Sequence, residues 1–196
     1  MSKLEIAATA AQLVVEEGLE YGPAKRRAVR QLKLSERTPL PGNEEVDEAV
    51  REYLSLFCAE TQPAELLVLR QLALVWMERL ADFRPYLSGA VWHGTATRLS
   101  DIYIQLFCDD EKSLEIKLID RGVRFQAESV RGFHGETVQA LSVHVRSDAL
   151  NAVVGVHLMA NDLDDVRGAL RKDGNGRSPM GNSASVRGLL LDFVDK

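Results

Sequence analysis

The chain has 196 residues, of which 45% are hydrophobic and 27% are charged, so it can fold around a sizeable core. Its formal net charge of −5 predicts no general nucleic-acid binding, because such binding needs a positively charged surface. No stretch approaches the length of a membrane span and the N-terminus lacks the pattern of a signal peptide, so we expect a cytoplasmic protein without membrane contact.

The first 84 residues have the apolar spacing of helices. We predict helices over 4–19, 23–34, 44–58 and 61–83, separated by glycines and prolines that break the pattern. A strongly basic run overlaps the second helix, and we interpret it as a solvated helix face. Its members are Lys25, Arg26, Arg27, Arg30, Lys33 and Arg37.

After residue 85 the pattern changes to short apolar runs typical of strands, with shorter helices between them. We predict strands over 87–92, 101–108, 123–130, 138–146 and 153–159, helices over 109–121, 164–170 and 185–194, a turn over 131–136 and a loop over 173–183. The fold class is therefore α+β. We expect an N-terminal helical bundle, residues 1–84, packed on a small mixed β-sheet with flanking helices, residues 85–196, as one compact unit.

Several common site motifs are absent from the sequence. Cys58 and Cys108 form no Cys-x-x-Cys pair and should stay reduced, and two thiols with few histidines do not make a zinc site. The glycine-containing loop 173–183 lacks the Gly-Lys-Ser/Thr ending of a P-loop. Neither the Gly-x-Ser-x-Gly nor the His-Glu-x-x-His motif of hydrolases occurs.

The segment GAVWHGTATRLSDIYIQLF, residues 89–107, is the most informative part of the chain. Its small residues would let backbone N–H groups approach phosphates closely, and Asp101 opens the strand that follows. Acids at positions i and i+2 of a strand share one face and could hold Mg²⁺ together, but position i+2 is Tyr103.

This segment resembles the nucleotidyltransferase superfamily, the polymerase-beta-like fold in its smaller bacterial forms. Gly89-Ala90 stands where that family has Gly-Ser, and His93-Gly94 stands at its Arg-Gly. The tetrapeptide at 100–103, Ser-Asp-Ile-Tyr, takes the place of Ser-Asp-x-Asp. Asp101 follows Gly89 by 12 residues, as in the small members. The resemblance is close over these residues and extends loosely to about residue 160 through the predicted order of strands and helices.

Three departures concern the chemistry of the family. Ala90 lacks the hydroxyl that would meet a phosphate, Tyr103 replaces the second acid, and His157 stands on the strand where a third acid is expected. Of three carboxylates only Asp101 is present, and Glu115 is a poor substitute. Because Mg²⁺ needs a dense shell of oxygen ligands, this sequence offers too few carboxylates for metal-dependent transfer.

The resemblance implies a nucleotide-binding surface and a metal position at Asp101, with Asp101 and His157 at catalytic positions. The nucleotide-binding surface would be formed by Gly89, Ala90, His93, Gly94, Thr95, Arg98 and Ser100. Our first hypothesis is a protein that has lost metal-dependent catalysis and binds a nucleotide or another protein as a regulatory module. The alternative is an active enzyme with altered metal ligands, which would use Mg²⁺ and a nucleoside triphosphate to transfer a nucleoside monophosphate.

Other interpretations of the same residues stay open. Tyr103 can fill the emptied metal pocket as a structural aromatic, and Asp101 can simply satisfy backbone N–H groups at a strand start. His93 and His157 could act as acid and base, and Arg98 with the turn could bind an anion without metal. A third hypothesis is a purely structural or interaction protein that docks through its helical half.

Overall fold

The computed structural model describes residues 3–132, 136–173 and 176–194. They form eight α-helices, two short 3-10 helices and six β-strands. The helices are α1 (Lys3–Glu17), α2 (Tyr21–Gln31), α3 (Asn43–Phe57), α4 (Gln62–Arg79), α5 (Gly89–His93), α6 (Glu111–Asp120), α7 (Val166–Ala169) and α8 (Ser183–Val194). The strands are β1 (Tyr86–Ser88), β2 (Ile102–Phe107), β3 (Gln126–Arg131), β4 (Thr137–Ser147), β5 (Ala152–Asn161) and β6 (Met180–Asn182).

The chain divides into two compact units, Met1–Glu65 and Leu66–Lys196. The first is built from α1, α2 and α3. Alanines on the inner face of α1 and α2 allow close helix contacts, and Val46, Val50 and Leu54 of α3 complete a buried cluster at helical spacing. Gly18 ends α1 with a φ of 70°, a conformation that favours glycine.

The second unit contains a six-stranded mixed sheet with the order β3-β4-β5-β2-β1-β6. β2 and β5 run parallel, whereas every other neighbouring pair whose register is described is antiparallel. In this register Tyr103 of β2 lies beside His157 of β5, and His157 lies beside Ser142 of β4. Successive side chains of a strand point to opposite faces, so these three share one face of the sheet.

The opposite face of the sheet is the core of the second unit. Ile102, Ile104, Leu141 and Leu158 are fully buried there, together with side chains from α4, α6 and α8. Those helix residues are Leu69, Ala73, Met77, Leu114, Leu118 and Val186. Because the apolar half of each central strand packs against helices, the polar half is presented on the other face.

The α+β class and the mixed sheet with flanking helices are confirmed. Two local predictions are wrong. The predicted strand 87–92 is a strand only to Ser88, because Gly89 adopts a φ of 70° and starts α5. The predicted loop 173–183 contains the short strand β6, which pairs with β1 through Met180 and Gly181. Part of that loop, 174–175, and part of the predicted turn 131–136, residues 133–135, lie outside the described residues.

The predicted division after residue 84 coincides with the change from helix to strand, whereas the compact units divide between residues 65 and 66. The domain assignment therefore stays a prediction. Within the described ranges, no helix is both long enough and apolar enough to cross a membrane.

Candidate functional site

A hydrogen-bonded row of polar side chains crosses β4, β5 and the start of β2. Asp101 stands directly before β2, and its Oδ2 lies 2.9 Å from Nε2 of His157. Nδ1 of His157 lies 2.8 Å from Oγ of Ser142, which is 3% exposed. An ionised carboxylate can only accept, so Nε2 donates to Asp101 and, in the neutral ring, Ser142 donates to Nδ1. Both nitrogens of His157 are therefore used within the protein.

Gly155 makes room for the carboxylate of Asp101. The backbone N–H of Gly155 donates to Oδ1 of Asp101 at 3.0 Å. A Cβ at position 155 would lie only 2.7 Å from Cγ of Asp101 and 2.8 Å from each carboxylate oxygen. A glycine inside a strand often marks such a close approach, and here it lets the acid lie on the backbone of β5.

The Asp101 carboxylate is held in its ionised form. The hydrogen bond from His157 lowers the pKa of Asp101, and the Gly155 N–H lowers it further, against an opposing effect of partial burial. His144, which lies opposite Gly155 in the pairing of β4 with β5, adds a smaller lowering of the pKa of Asp101. The side chain is 43% exposed, so it can still accept hydrogen bonds from a ligand. A carboxylate with a lowered pKa is a weak general base at neutral pH.

Tyr103 occupies the second acid position of the motif and covers His157. The two rings are stacked, with centroids 4.8 Å apart and an interplanar angle of 24°. A Cβ at Gly89 would lie 3.6 Å from Cδ2 of Tyr103, so the start of α5 adjoins the same ring. The space at position 103 is thus filled by an aromatic side chain that packs on the histidine.

The short helix α5 ends in a tight turn that is closed by backbone hydrogen bonds. The carbonyl of Ala90 accepts from the N–H groups of Gly94 and Thr95, at 2.9 and 3.0 Å. Gly94 has a φ of 86° and ends the helix. Arg70 of α4 is half-buried and donates to the carbonyls of Val91 and Trp92, so a cation caps the C-terminal end of α5. Burial lowers the pKa of the Arg70 guanidinium.

The loop between α5 and β2 is tightly folded. Oγ of Ser100 accepts from the N–H of Thr97 at 2.9 Å, so this hydroxyl already serves the turn. Thr95 is 4% exposed, and its buried hydroxyl has no hydrogen-bond partner in the described structure. His93 is half-buried at the end of α5, and Arg98 is exposed on the loop.

The structure brings some of the candidate residues together. Asp101 and His157 are in direct contact, and Gly89 adjoins them through Tyr103. The hydrogen-bond partners described for Asp101 are His157 and Gly155. The remaining candidates, Ala90, His93, Gly94, Thr95, Arg98 and Ser100, belong to α5 and the loop before Asp101. Their assignment to nucleotide binding stays a prediction.

Sequence reasoning missed two members of the row, Ser142 and Gly155. Gly155 carried a usable signal, because it is a lone glycine inside the apolar strand pattern VVGVHL. Ser142 interrupts the run ALSVHV, but only the pairing of β4 with β5 places its hydroxyl on His157.

These residues do not fit a divalent metal centre. Within residues 3–132, 136–173 and 176–194, no group of three or more His, Cys, Asp or Glu side chains is arranged to hold a metal ion. Glu115, considered as a substitute acid, instead accepts a hydrogen bond from the side chain of Gln139. The hydrogen-bond partners described for Asp101 are the N–H groups of Gly155 and His157, which supply none of the oxygen ligands that Mg²⁺ prefers.

Comparison with models of protein families found no match, and comparison with curated proteins found none either. Among solved structures, the chain is similar to the Cid1 poly(U) polymerase in a MgGTP-bound structure, with a TM-score of 0.38 and 12% sequence identity. The similarity covers 57% of this chain and 38% of the polymerase chain. The chain thus spans well under half the length of that polymerase.

Proposed function

We propose that this protein is a nucleotidyltransferase-like binding or regulatory module that does not use metal-dependent catalysis. The observation that carries the proposal is the state of Asp101. Its carboxylate is the one acid of the motif, and its two oxygens accept from His157 and Gly155. The position of the second acid is filled by Tyr103, which stacks on His157.

Metal-dependent transfer of a nucleotide needs carboxylates that converge on the ions bridging the phosphates. A metal at Asp101 would compete with the two N–H donors for the carboxylate oxygens. His157 could become a metal ligand only by giving up its hydrogen bond to Asp101 or to Ser142. Each of these bonds fixes the ring, so recruiting a metal would cost contacts that hold the site together.

The same geometry suits a ligand that donates hydrogen bonds. Asp101 is ionised, half-exposed and immobilised, which makes it an anchor for hydroxyl or amino groups of a ligand. Arg98, exposed on the preceding loop, adds a positive charge that an anionic group could meet. A nucleotide presents both kinds of group, so we infer nucleotide binding without a metal.

The test is a thermal-shift titration of the purified protein with the four ribonucleoside triphosphates, each in EDTA and in Mg²⁺ or Mn²⁺. We expect at least one nucleotide to raise the melting temperature equally with and without metal. Asp101→Ala should remove that shift, whereas Asp120→Ala, which deletes an exposed carboxylate at the end of α6, should leave it.

A second variant restores the missing acids. Tyr103→Asp combined with His157→Asp should make the nucleotide-dependent shift larger in Mg²⁺ or Mn²⁺ than in EDTA, because three carboxylates then face one another. The proposal fails if the unmodified protein transfers a nucleotide in Mg²⁺ or Mn²⁺ and Asp101→Ala abolishes the transfer. It also fails if no nucleotide binds, which would favour a structural role.

A further inference from the structure

Positive charge in this chain is concentrated in one segment of the first compact unit. Residues 25–37 carry six lysines and arginines and one acid, Glu36, which gives a net charge of +5. Because the whole chain has a net charge of −5, the remaining residues sum to −10. A charge separation of this size within one chain creates a local potential that the net charge conceals.

The fold of α2 displays this segment on the surface. Ala24, Ala28 and Val29 are buried against the other helices of the unit, which directs the cations outward. Arg26 and Arg30 are exposed at i and i+4, one above the other with a rise of about 6 Å. The exposed row extends past the helix end to Lys33, in a left-handed conformation, and to Arg37.

Two of the six cations are used by the unit itself. Nζ of Lys25 donates to the carbonyl of Pro41 and the side chain of Asn43, at 3.2 and 2.8 Å. Arg27 pairs with Glu17 at 2.5 Å. For the other four, which we call the basic row (Arg26, Arg30, Lys33 and Arg37), no side-chain ion pair occurs in the described part of the chain.

We propose that the basic row binds the phosphate backbone of single-stranded nucleic acid. An acidic protein partner would offer exposed ion pairs, whose net contribution is small. A nucleic acid offers regularly spaced phosphates and releases condensed counterions when they are neutralised, which gives clustered cations much more affinity. The magnitude of the two effects therefore favours nucleic acid over protein.

The residues around the basic row determine which form of nucleic acid fits and which of its groups are contacted. The other residues of the first unit carry two lysines or arginines and eleven acids, a net charge of −9, which would repel phosphates that extend beyond the row, so a flexible single strand fits better than a rigid duplex. Residues 25–37 contain no aromatic side chain on which a base could stack. Contacts are thus limited to a few phosphates, and binding is weak, independent of sequence and sensitive to salt. The negative chain as a whole still lacks a general nucleic-acid surface.

The experiment measures fluorescence anisotropy of a short labelled oligouridylate with the full-length protein over a range of salt concentrations. Four phosphate contacts predict a slope of about −2.8 for log K against log salt, since each contact to a single strand contributes about −0.7. Arg26→Gln combined with Arg30→Gln should weaken binding and reduce the slope by about 1.4. Arg26→Lys combined with Arg30→Lys keeps the charge and should retain most of the affinity.

The matched control is Arg124→Gln combined with Arg131→Gln, which removes the same charge from exposed positions of the second unit. It should leave the slope near its original value. The proposal is overturned if this control weakens binding as much as the change in the basic row, or if polyglutamate competes as well as the oligouridylate. It is independent of the site at Asp101, so nucleotide binding there can fail without affecting this result.

Discussion

Two glycines in the sheet, Gly155 on β5 and Gly181 on β6, let a neighbouring side chain lie directly on a strand. A Cβ at Gly181 would stand 2.2 Å from Cη2 and Cζ3 of Trp92, whereas a Cβ at Gly155 would stand 2.7 Å from Cγ of Asp101. At Gly181 the covering group is a large apolar ring, and at Gly155 it is a half-exposed carboxylate.

The two contacts serve different ends. The indole of Trp92 packs against the core of the second unit, and its Nε1 donates to the carbonyl of Ser178 at 2.8 Å. It therefore closes the edge of the sheet and contributes to stability through buried apolar area. Asp101 is half-exposed, so its charge stays in contact with solvent. The same absence of a side chain thus makes room for a core aromatic ring at one place and for a half-exposed carboxylate at the other.

The largest effect is expected at the edge of the sheet. Gly181→Ala should lower the free energy of unfolding by about 2–3 kcal/mol, because a rigid indole cannot share its place with a methyl group. Urea denaturation measures this change. The control is Gly188→Ala in α8, where an added Cβ meets nothing within 4 Å. That variant should raise the free energy of unfolding by about 0.5–1 kcal/mol. Equal behaviour of the two variants would contradict the packing of Trp92 on β6.

A smaller effect on stability, with a larger effect on binding, is expected at Gly155. Gly155→Ala should lower the free energy of unfolding by about 1–2 kcal/mol, because the Asp101 carboxylate can swing into solvent at the loss of two hydrogen bonds. Displacing the anchor should also remove any nucleotide-induced thermal shift. A variant that loses stability but keeps the full shift would show that the Asp101 carboxylate is not the anchor.

Features whose signals lie within a short stretch of chain could be predicted from the sequence. Strand β2 and helix α6 have clear periods, and local chemistry predicts a cap at Asp109 or Asp110 and a stop at Gly122; in the structure the cap is Asp110. Asp101 is a candidate site residue because its neighbours form a motif within a few residues, and that assignment stays a prediction. Each of these signals is contained in a short stretch of chain.

The missed features depend on how strands pair with one another. β6 has three residues, too few to show a period, and it exists because Gly181 accommodates Trp92 while pairing with β1. Ser142 belongs to the site only because the register of β4 on β5 places it beside His157. β4 and β5 are joined by the short connection 148–151, and the register of such a hairpin depends on its turn geometry and on sheet packing, which the pattern around Ser142 does not show.

The smallest expected effect tests the charge of Asp101 by itself. The pKa of Asp101 is lowered in the folded protein, so its contribution to stability is present above the unfolded value of about 3.9 and is lost as pH falls through the folded value. Asp101→Asn keeps the shape and can still accept from the Gly155 N–H. The hydrogen bonds of His157 can also invert, with Nε2 accepting from the amide and Nδ1 donating to Ser142.

The variant therefore removes mainly charge, and because the carboxylate is half-exposed the loss above pH 4 should stay below about 1 kcal/mol. Urea midpoints measured between about pH 2 and pH 6 should show the variant less stable at the upper end and equal to the unmodified protein at the lower end. Asp120→Asn, at an exposed carboxylate, should follow the unmodified protein throughout. If Asp101→Asn also follows it at every pH, the bonds from His157 and Gly155 do not favour the ionised acid. Asp101 would then lose its distinction from an ordinary surface carboxylate, and Gly155 its role of holding a charged anchor.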